Sequence, residues 1–370
     1  MKLLHVVPTY FPAVRYGGPI VSVHGLCASL AKRGHEVHVF TTNVDGDGTL
    51  DVPIDGPVAQ DGVFVHYFPS EFRRVYWSRA MRAALRKDVA QFDFVHVHAV
   101  FLWPGTAAAR EARRQRIPYL VSPRGMLVPE LFKKRSGAAK RAWLELFGRR
   151  DLAAAAGIHF TSESEMDDCR RLGVAIERGV VVPNGVDAPP PPEVPRDETL
   201  LLHLGRISWK KRLDLVIRHL PAVPTARFVI AGNDEEDLTP RLQTLARTLS
   251  VADRVTFSPP VFGDEKWELL ARAALFVLMS DSENFGNAVV EALAMETPVV
   301  LSSGVGVSSE VVAAGAGAIG LEQIQRLLAD PELRREMGHR GRALVESRFG
   351  WDGIAQSMEG LYDSLVSRRE

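Results

Sequence analysis

The chain has 370 residues, 46% hydrophobic and 24% charged, with two cysteines and a formal net charge of zero. These globular values exclude a collagen-like, disordered or disulfide-framework protein, and the length exceeds what one hydrophobic core usually supports, so two domains are expected. Cys27 and Cys169, far apart in sequence and without metal-ligand neighbours, read as packed thiols in a reducing compartment.

Met1 to Val7 is a short apolar run cut off by Pro8 and Pro12, which reads as a first buried strand and not as a signal-peptide core. Further short Val/Ile/Leu runs follow at Val37 to Phe40, Val63 to Tyr67, Phe94 to Val97 and Gly157 to Phe160, separated by helix-length amphipathic stretches such as Ile20 to Leu30. Pro189 to Pro192 and Pro195 force extended backbone and place a domain boundary. Beyond them the pattern repeats, with strands expected at Leu200 to Leu204, Ala226 to Ala231, Arg254 to Phe257, Leu275 to Leu278 and Pro298 to Leu301. Short apolar runs alternating with helices predict parallel sheets covered on both faces. The expected fold class is therefore α/β, with two Rossmann-like doubly wound domains, 1–187 and 188–350, and a C-terminal helix, 351–370, packing back on the first domain. No apolar stretch reaches the roughly 18 residues of a spanning helix, so the chain is expected to be soluble or surface-bound.

The zero net charge hides an asymmetry. Residues 71–150 carry 18 basic and 6 acidic side chains, a net of +12, and include two helix-like pieces, Glu71 to Val89 and Leu131 to Arg150, that interleave cations with aromatic residues. An anionic membrane surface is the expected partner of that face, through Lys133, Lys134, Arg135, Lys140 and Arg141; a merely solvated helix face is the alternative. Balanced overall charge and the lack of a recognisable module argue against nucleic acid.

In doubly wound sheets ligands bind beyond the carboxyl ends of the strands, so the loops there carry the chemistry. After Leu278 comes the polar loop Ser280 to Gly286, containing Glu283, Asn284 and Phe285, and then a helical run to Met295. A helix N-terminus attracts a phosphate, and Glu283 and Glu291, eight residues apart, can both accept hydroxyl protons from one ligand. Gly205-Arg206 and Lys211 put fixed cations at another strand end, a pattern that fits a diphosphate. Taken singly, each signal also fits a solvated loop or helix start.

Together, the Glu283-x7-Glu291 pair enclosing Phe285-Gly286, the Gly205-Arg206 then Lys211 spacing, Gly17-Gly18 after the first strand and Val182-Pro183-Asn184-Gly185-Val186-Asp187 before the linker resemble retaining glycosyltransferases of family 4. The resemblance runs over nearly the whole chain. It implies the GT-B architecture of two facing Rossmann-like domains with an interdomain cleft. It further implies that Glu291 holds the nucleotide ribose, that Glu283 contacts the donor sugar, and that Arg206 and Lys211 neutralise the diphosphate without a metal. Asp45-Gly46-Asp47 reads as a turn and not as a metal site. Gly17 and Gly18 would bring backbone close to phosphate or sugar, and His98 matches a histidine beside the donor sugar. Arg124, in Ser122-Pro123-Arg124-Gly125-Met126, stands where many relatives have histidine, and is expected to read an anionic acceptor or the donor phosphate. Thr161-Ser162-Glu163 resembles the family's Ser-Glu step beside the cleft, with helix capping by Ser162 as the alternative.

Three departures bear on local stability and the shape of the nucleotide side: Ala274 and Met279 replace a frequent aspartate and proline, and Glu296 stands where relatives commonly have glycine. The expected activity is transfer of a hexose, with retention and without cofactor, from a UDP- or GDP-sugar to a glycan or polyprenyl-linked glycan acceptor in surface polysaccharide synthesis. The expected location is cytoplasmic, on the inner face of a membrane. A nucleotide-sugar epimerase and a non-catalytic sugar-nucleotide binder are the competing readings.

Overall fold

A computed structural model describes residues 1–13, 17–133, 136–234 and 236–367. The chain divides into two compact units, Met1–Gly185 with Trp351–Glu370, and Val186–Gly350. In the first unit the strands are β1 (Lys2–Val6), β2 (Glu36–Thr42), β3 (Val44–Asp45), β4 (Gly48–Thr49), β5 (Val58–Gln60), β6 (Val63–Phe68), β7 (Phe94–His98), β8 (Tyr119–Ser122), β9 (Gly157–Phe160) and β10 (Gly179–Val181). Eight of them form one sheet in the order β10-β9-β8-β7-β1-β2-β6-β5, and β3 and β4 make a small hairpin around Gly46. All neighbours in the large sheet are parallel except β5 with β6. The second unit holds β11 (Asp197–Leu204), β12 (Arg227–Ala231), β13 (Val255–Ser258), β14 (Ala273–Leu278), β15 (Val299–Leu301) and β16 (Gly317–Ile319), in the order β13-β12-β11-β14-β15-β16 and wholly parallel.

The central strands carry apolar residues on both sides because helices cover both faces. β14 is buried throughout; Ala274 lies within it and Met279 directly follows it, 0% and 9% exposed. Each unit has two hydrophobic clusters, one on each face of its sheet. In the first unit one face is covered by helix Gly18–Lys32 and by the C-terminal helix Trp351–Ser367, whose Ile354, Ala355, Met358 and Tyr362 join the core of β1, β2 and β6. The opposite face is covered by helices Arg79–Asp88 and Trp103–Gln115 and by the helical segment from Gly137 to Ala153.

The two basic pieces differ from their expected form. Glu71 to Val89 is α-helical only from Arg79, because Ser78 caps Met81 N and the Glu71 carboxylate accepts from Arg79 N at 3.0 Å; before it, a 3-10 turn, Arg73–Val75, sits inside a Phe72–Trp77 bridge. Leu131 to Arg150 is not one helix. A short turn of helix, Pro129–Phe132, precedes the segment that starts at Gly137, and residues Leu144–Gly148 of that segment are wound as π-helix. Lys133 and Arg141 are exposed, Lys140 stands over the Phe101 ring at 5.8 Å, and Lys134 and Arg135 lie outside the described residues. Among the described residues no helix is long and apolar enough to cross a membrane.

Candidate active site

The winding of the second sheet reverses between β11 and β14, which opens a crevice at the carboxyl ends of those strands. Gly205-Arg206 leaves β11, the Ser280–Gly286 loop leaves β14, and residues 302–307 leave β15. Backbone hydrogen bonds lace the three loops together. Asp281 N donates to Lys210 O at 2.8 Å, Glu283 N to Gly304 O at 2.8 Å, Gly306 N to Glu283 O at 2.8 Å and Val307 N to Phe285 O at 3.1 Å. Ser280 and Ser302 hydroxyls add bonds to Lys210 O and Ser280 O. A Cβ at position 304 would stand 2.6 Å from the carbonyl oxygens of Ser280 and Asp281, so only glycine lets these loops meet.

This lacing brings Lys211 onto Glu283, whose carboxylate accepts from the Lys211 ammonium in a partly buried ion pair. Burial works to raise the Glu283 carboxyl, but the charge and hydrogen bond of Lys211 and the charge of Arg206 outweigh it and hold it below the usual range. Glu283 is therefore a carboxylate between two cations, and it leaves the pair of cations with a residual positive charge. Gly286, at φ 106°, ends the loop in the left-handed region open to glycine and caps helix Asn287–Ala294 without a side-chain hydrogen bond. The helix thus presents its first N–H groups and its positive dipole end beside Asn284 and Phe285. Glu291, on the second turn, pairs with Lys266 at 3.2 Å; burial raises its carboxyl against the pull of Lys266.

One neighbour of this cluster carried no sequence motif. His203 is fully buried in β11 behind Gly205, donates from Nδ1 to Val277 O at 3.3 Å, and is pushed down to about 3 by burial and by Lys211. Its Nε2 lone pair is buried without a hydrogen-bond partner among the described residues.

The first sheet reverses between β1 and β7, and there a different cluster forms. Arg124, at φ 55° after β8, donates from Nη1 to Asn184 Oδ1 at 2.7 Å and from Nη2 to His98 Nδ1 at 3.3 Å. Since a guanidinium only donates, His98 must carry its proton on Nε2, and it passes that hydrogen bond to His5 Nδ1 at 2.9 Å. A second chain runs alongside. Val182 O only accepts, so His159 donates to it from Nε2 at 2.8 Å and takes the Ser122 hydroxyl hydrogen on Nδ1 at 2.7 Å. His96 then donates from Nε2 to Ser122 Oγ at 2.6 Å and accepts from the Tyr362 hydroxyl at 2.7 Å. Burial and the nearby Arg124 charge lower all four histidines, His5 and His159 to about 3 and His96 and His98 well below their ordinary value. His5, His96 and His98 cluster closely enough to frame a metal site. Both ring nitrogens of His96 and of His98 are already committed, to Ser122, Tyr362, His5 and Arg124, which leaves His5 Nε2 as the one ring nitrogen of the three without a partner among the described residues, and the Arg124 cation opposes a second positive charge there.

The counter-charge to Arg124 is Glu165, a residue that motif reading passed over. Its carboxylate is buried and accepts from Gly125 N at 2.6 Å and Thr161 N at 2.8 Å. Ser162 caps helix Glu163–Arg171 by accepting from Glu165 N at 3.1 Å, while Glu163 itself is exposed. The Ser162-x-x-Glu165 spacing is a capping-box signature and was the available signal. His98 is only 1% exposed, beneath Arg124 rather than at an open surface. Gly17, at φ 69°, caps helix Gly18–Lys32 with no atom near its missing Cβ.

Two family models match the chain, the glycosyl transferase 4-like domain over residues 17–185 and the glycosyl transferases group 1 domain over residues 187–344. The chain belongs to the family 4, group 1 glycosyltransferases. A D-inositol 3-phosphate glycosyltransferase of Xylanimonas cellulosilytica is 27% identical over 394 residues, spanning 95% of this glycosyltransferase and 93% of the relative. Among solved structures, sucrose-phosphate synthase from Thermosynechococcus elongatus superposes with a TM-score of 0.77 at 21% identity, covering all of both chains. Anabaena HepE, solved in complex with UDP and glucose, superposes at 0.76 with 18% identity over 98% of this chain and all of that one. The fold is GT-B, and the enzyme is a glycosyltransferase.

Proposed function

We propose that this glycosyltransferase moves a hexose, with retention of configuration, from UDP-hexose to a hydroxyl of a glycan or lipid-linked glycan in surface polysaccharide synthesis. It would work on the cytoplasmic face of an anionic membrane. The observation that carries the reading is the Lys211–Glu283 ion pair beside Arg206 and the helix start at Gly286. Arg206 and Lys211 take up the charge of the departing nucleotide diphosphate, the role a metal ion has elsewhere. As the diphosphate draws Lys211, Glu283 is released toward the sugar hydroxyls and steadies the oxocarbenium-like centre. The acceptor hydroxyl attacks from the face being vacated, and a leaving phosphate oxygen takes its proton. Glu291 holds the ribose hydroxyls, exchanging its bond to Lys266 for them. The bound UDP and glucose of Anabaena HepE favour UDP as the nucleotide.

The test is product analysis with UDP-glucose, GDP-mannose and ADP-glucose, together with thermal shifts of the wild type and Glu291→Ala. Transferred sugar with free UDP supports the reading, and loss of the UDP shift in Glu291→Ala supports the ribose role. Epimerised nucleotide sugar without acceptor, or binding without turnover against a panel of glycan acceptors, would replace it with the epimerase or binder reading.

A further inference from the structure

In the first unit, helices Arg79–Asp88 and Trp103–Gln115 and the segment from Gly137 to Ala153 leave a cavity of about 740 Å³ between them, a volume typical of a small-molecule site. Its two ends differ in chemistry. Phe101, Trp103 and Trp143 line one end, with the Phe101 and Trp143 rings edge to face at 4.9 Å. Six arginines line the remainder against only two carboxylates, Glu111 and Asp151. Both carboxylates are already engaged, Asp151 by Arg113 at 2.6 Å and Glu111 by Arg114 at 3.0 Å. Arg82, Arg86, Arg110 and Arg150 are exposed and make no side-chain hydrogen bond or ion pair to a described residue.

The π-wound turn Leu144–Gly148 forms part of the wall and turns Leu146 and Phe147 outward, 69% and 48% exposed, at the rim of the same cavity. A Cβ on Gly148 would stand 2.5 Å from the Trp143 ring, so the glycine is what lets that ring occupy the apolar end. Trp103 begins its helix and Arg110 lies two turns further on, which separates the two ends by about 10 Å at 1.5 Å per residue. The helix starts just after the carboxyl end of β7 and runs back along the sheet, so the free arginines gather away from the strand ends where the reaction residues lie.

We propose that this cavity seats one phosphate-headed membrane lipid, its hydrocarbon chain against Phe101, Trp103 and Trp143 and its phosphate on Arg86, Arg110 and Arg150. A small anion would use the arginines and leave the aromatic end wet, and a neutral apolar ligand would leave six arginines with only two carboxylates to balance them; an anionic amphiphile satisfies both ends. Leu146 and Phe147 then enter the surface from which the lipid is drawn. The proposal deepens the membrane part of the function proposed above and takes its occupant from it. It assigns the lipid head to arginines other than the Lys133 to Arg141 group.

The experiment titrates the full chain with dodecyl phosphate below its aggregation concentration and reads tryptophan fluorescence, since Trp103 and Trp143 line the cavity. Expected is saturable binding to one site, at least tenfold weaker in Ala107→Phe, which fills the cavity, and in Arg110→Glu/Arg150→Glu. The UDP thermal shift of both variants should stay at the wild-type value, showing that they fold. Equal binding of dodecyltrimethylammonium, undiminished binding in Ala107→Phe, or no saturable binding overturns the proposal. Flotation with phosphatidylglycerol and phosphatidylcholine vesicles separates it from the membrane reading. Selective recruitment to phosphatidylglycerol that is lost in the double arginine variant supports both. Dodecyl phosphate binding without recruitment overturns the membrane reading alone, and recruitment that survives the double variant overturns the cavity assignment alone.

Discussion

Each of the two sheets reverses its winding between neighbouring strands, and each gathers polar side chains there, but the two clusters treat charge in opposite ways. In the second unit Lys211, Arg206 and Glu283 remain ionised and partly accessible, so a ligand phosphate can exchange places with a carboxylate. In the first unit one cation, Arg124, is set among four neutral histidines and one buried glutamate, and nearly every donor and acceptor is already used. The same topological position thus serves in one case to bind charge and in the other to hold geometry. The histidine chains fix the Val182 carbonyl, and Asn184, two residues on, fixes Arg124.

Substitutions should separate the two clusters. The largest effect is expected for Arg124→Met, which leaves Asn184 Oδ1 and His98 Nδ1 buried without their donor and, at about 1–3 kcal/mol for each unsatisfied group, should cost about 2–5 kcal/mol in urea unfolding; a loss below about 1 kcal/mol would show that the cluster does not depend on its guanidinium. Lys211→Met should do the reverse, leaving unfolding nearly unchanged while lowering the transfer rate about 10²–10³-fold, the usual loss for one preorganised charge donor. A similar fall in stability would mean that Lys211 is structural.

Acid should weaken the protein through its neutral histidines. The folded His5, His159 and His203 titrate at about 3, and unfolded histidine at about 6.5. Below 6.5 the unfolded chain therefore binds protons that the folded one refuses, and stability falls until the folded values are reached. Each histidine adds a slope of up to about 1.4 kcal/mol per pH unit in that window and none above it. Unfolding midpoints measured from pH 8 to pH 5 should be flat and then fall, less steeply in His203→Gln.

The smallest effect concerns Glu296. It adopts φ 56° after helix Asn287–Ala294, where an ordinary side chain is disfavoured, and is held by Arg196 at its carbonyl and by His339 at its carboxylate. Glu296→Gly should stabilise by up to about 1 kcal/mol, and a destabilised variant would show that those two contacts outweigh the backbone strain.

Much of this was legible because local pattern and tertiary role coincide. Central strands such as β7 and β14 are short apolar runs, and Glu283, Arg206 and Lys211 sit in polar loops directly after them. Strands β3, β4, β5, β8, β10 and β16 fall outside the expected runs, since they span only two to four residues and carry little periodicity. The clasp of residues 302–307 around the Glu283 loop is made by backbone bonds, which leave no side-chain signature beyond small residues. The histidine chains depend on four strands, β1, β7, β8 and β9, that are distant in sequence. Period-two alternation places His96 and His98 on one side of β7, but only strand order brings His5 and His159 to meet them.

The connectivity of the first unit sets the order in which the protein can mature during synthesis. Its eight-stranded sheet emerges from the ribosome well before Trp351–Ser367, the helix that supplies Tyr362 to His96 and closes one hydrophobic face. Residues 186–350 are complete earlier and can collapse while the first-translated half still waits for its cover. A chain stopped after residue 350 would keep every described strand of both sheets and still expose the apolar face of the older one to aggregation, so the soundness of the first-translated unit rests on the helix Trp351–Ser367.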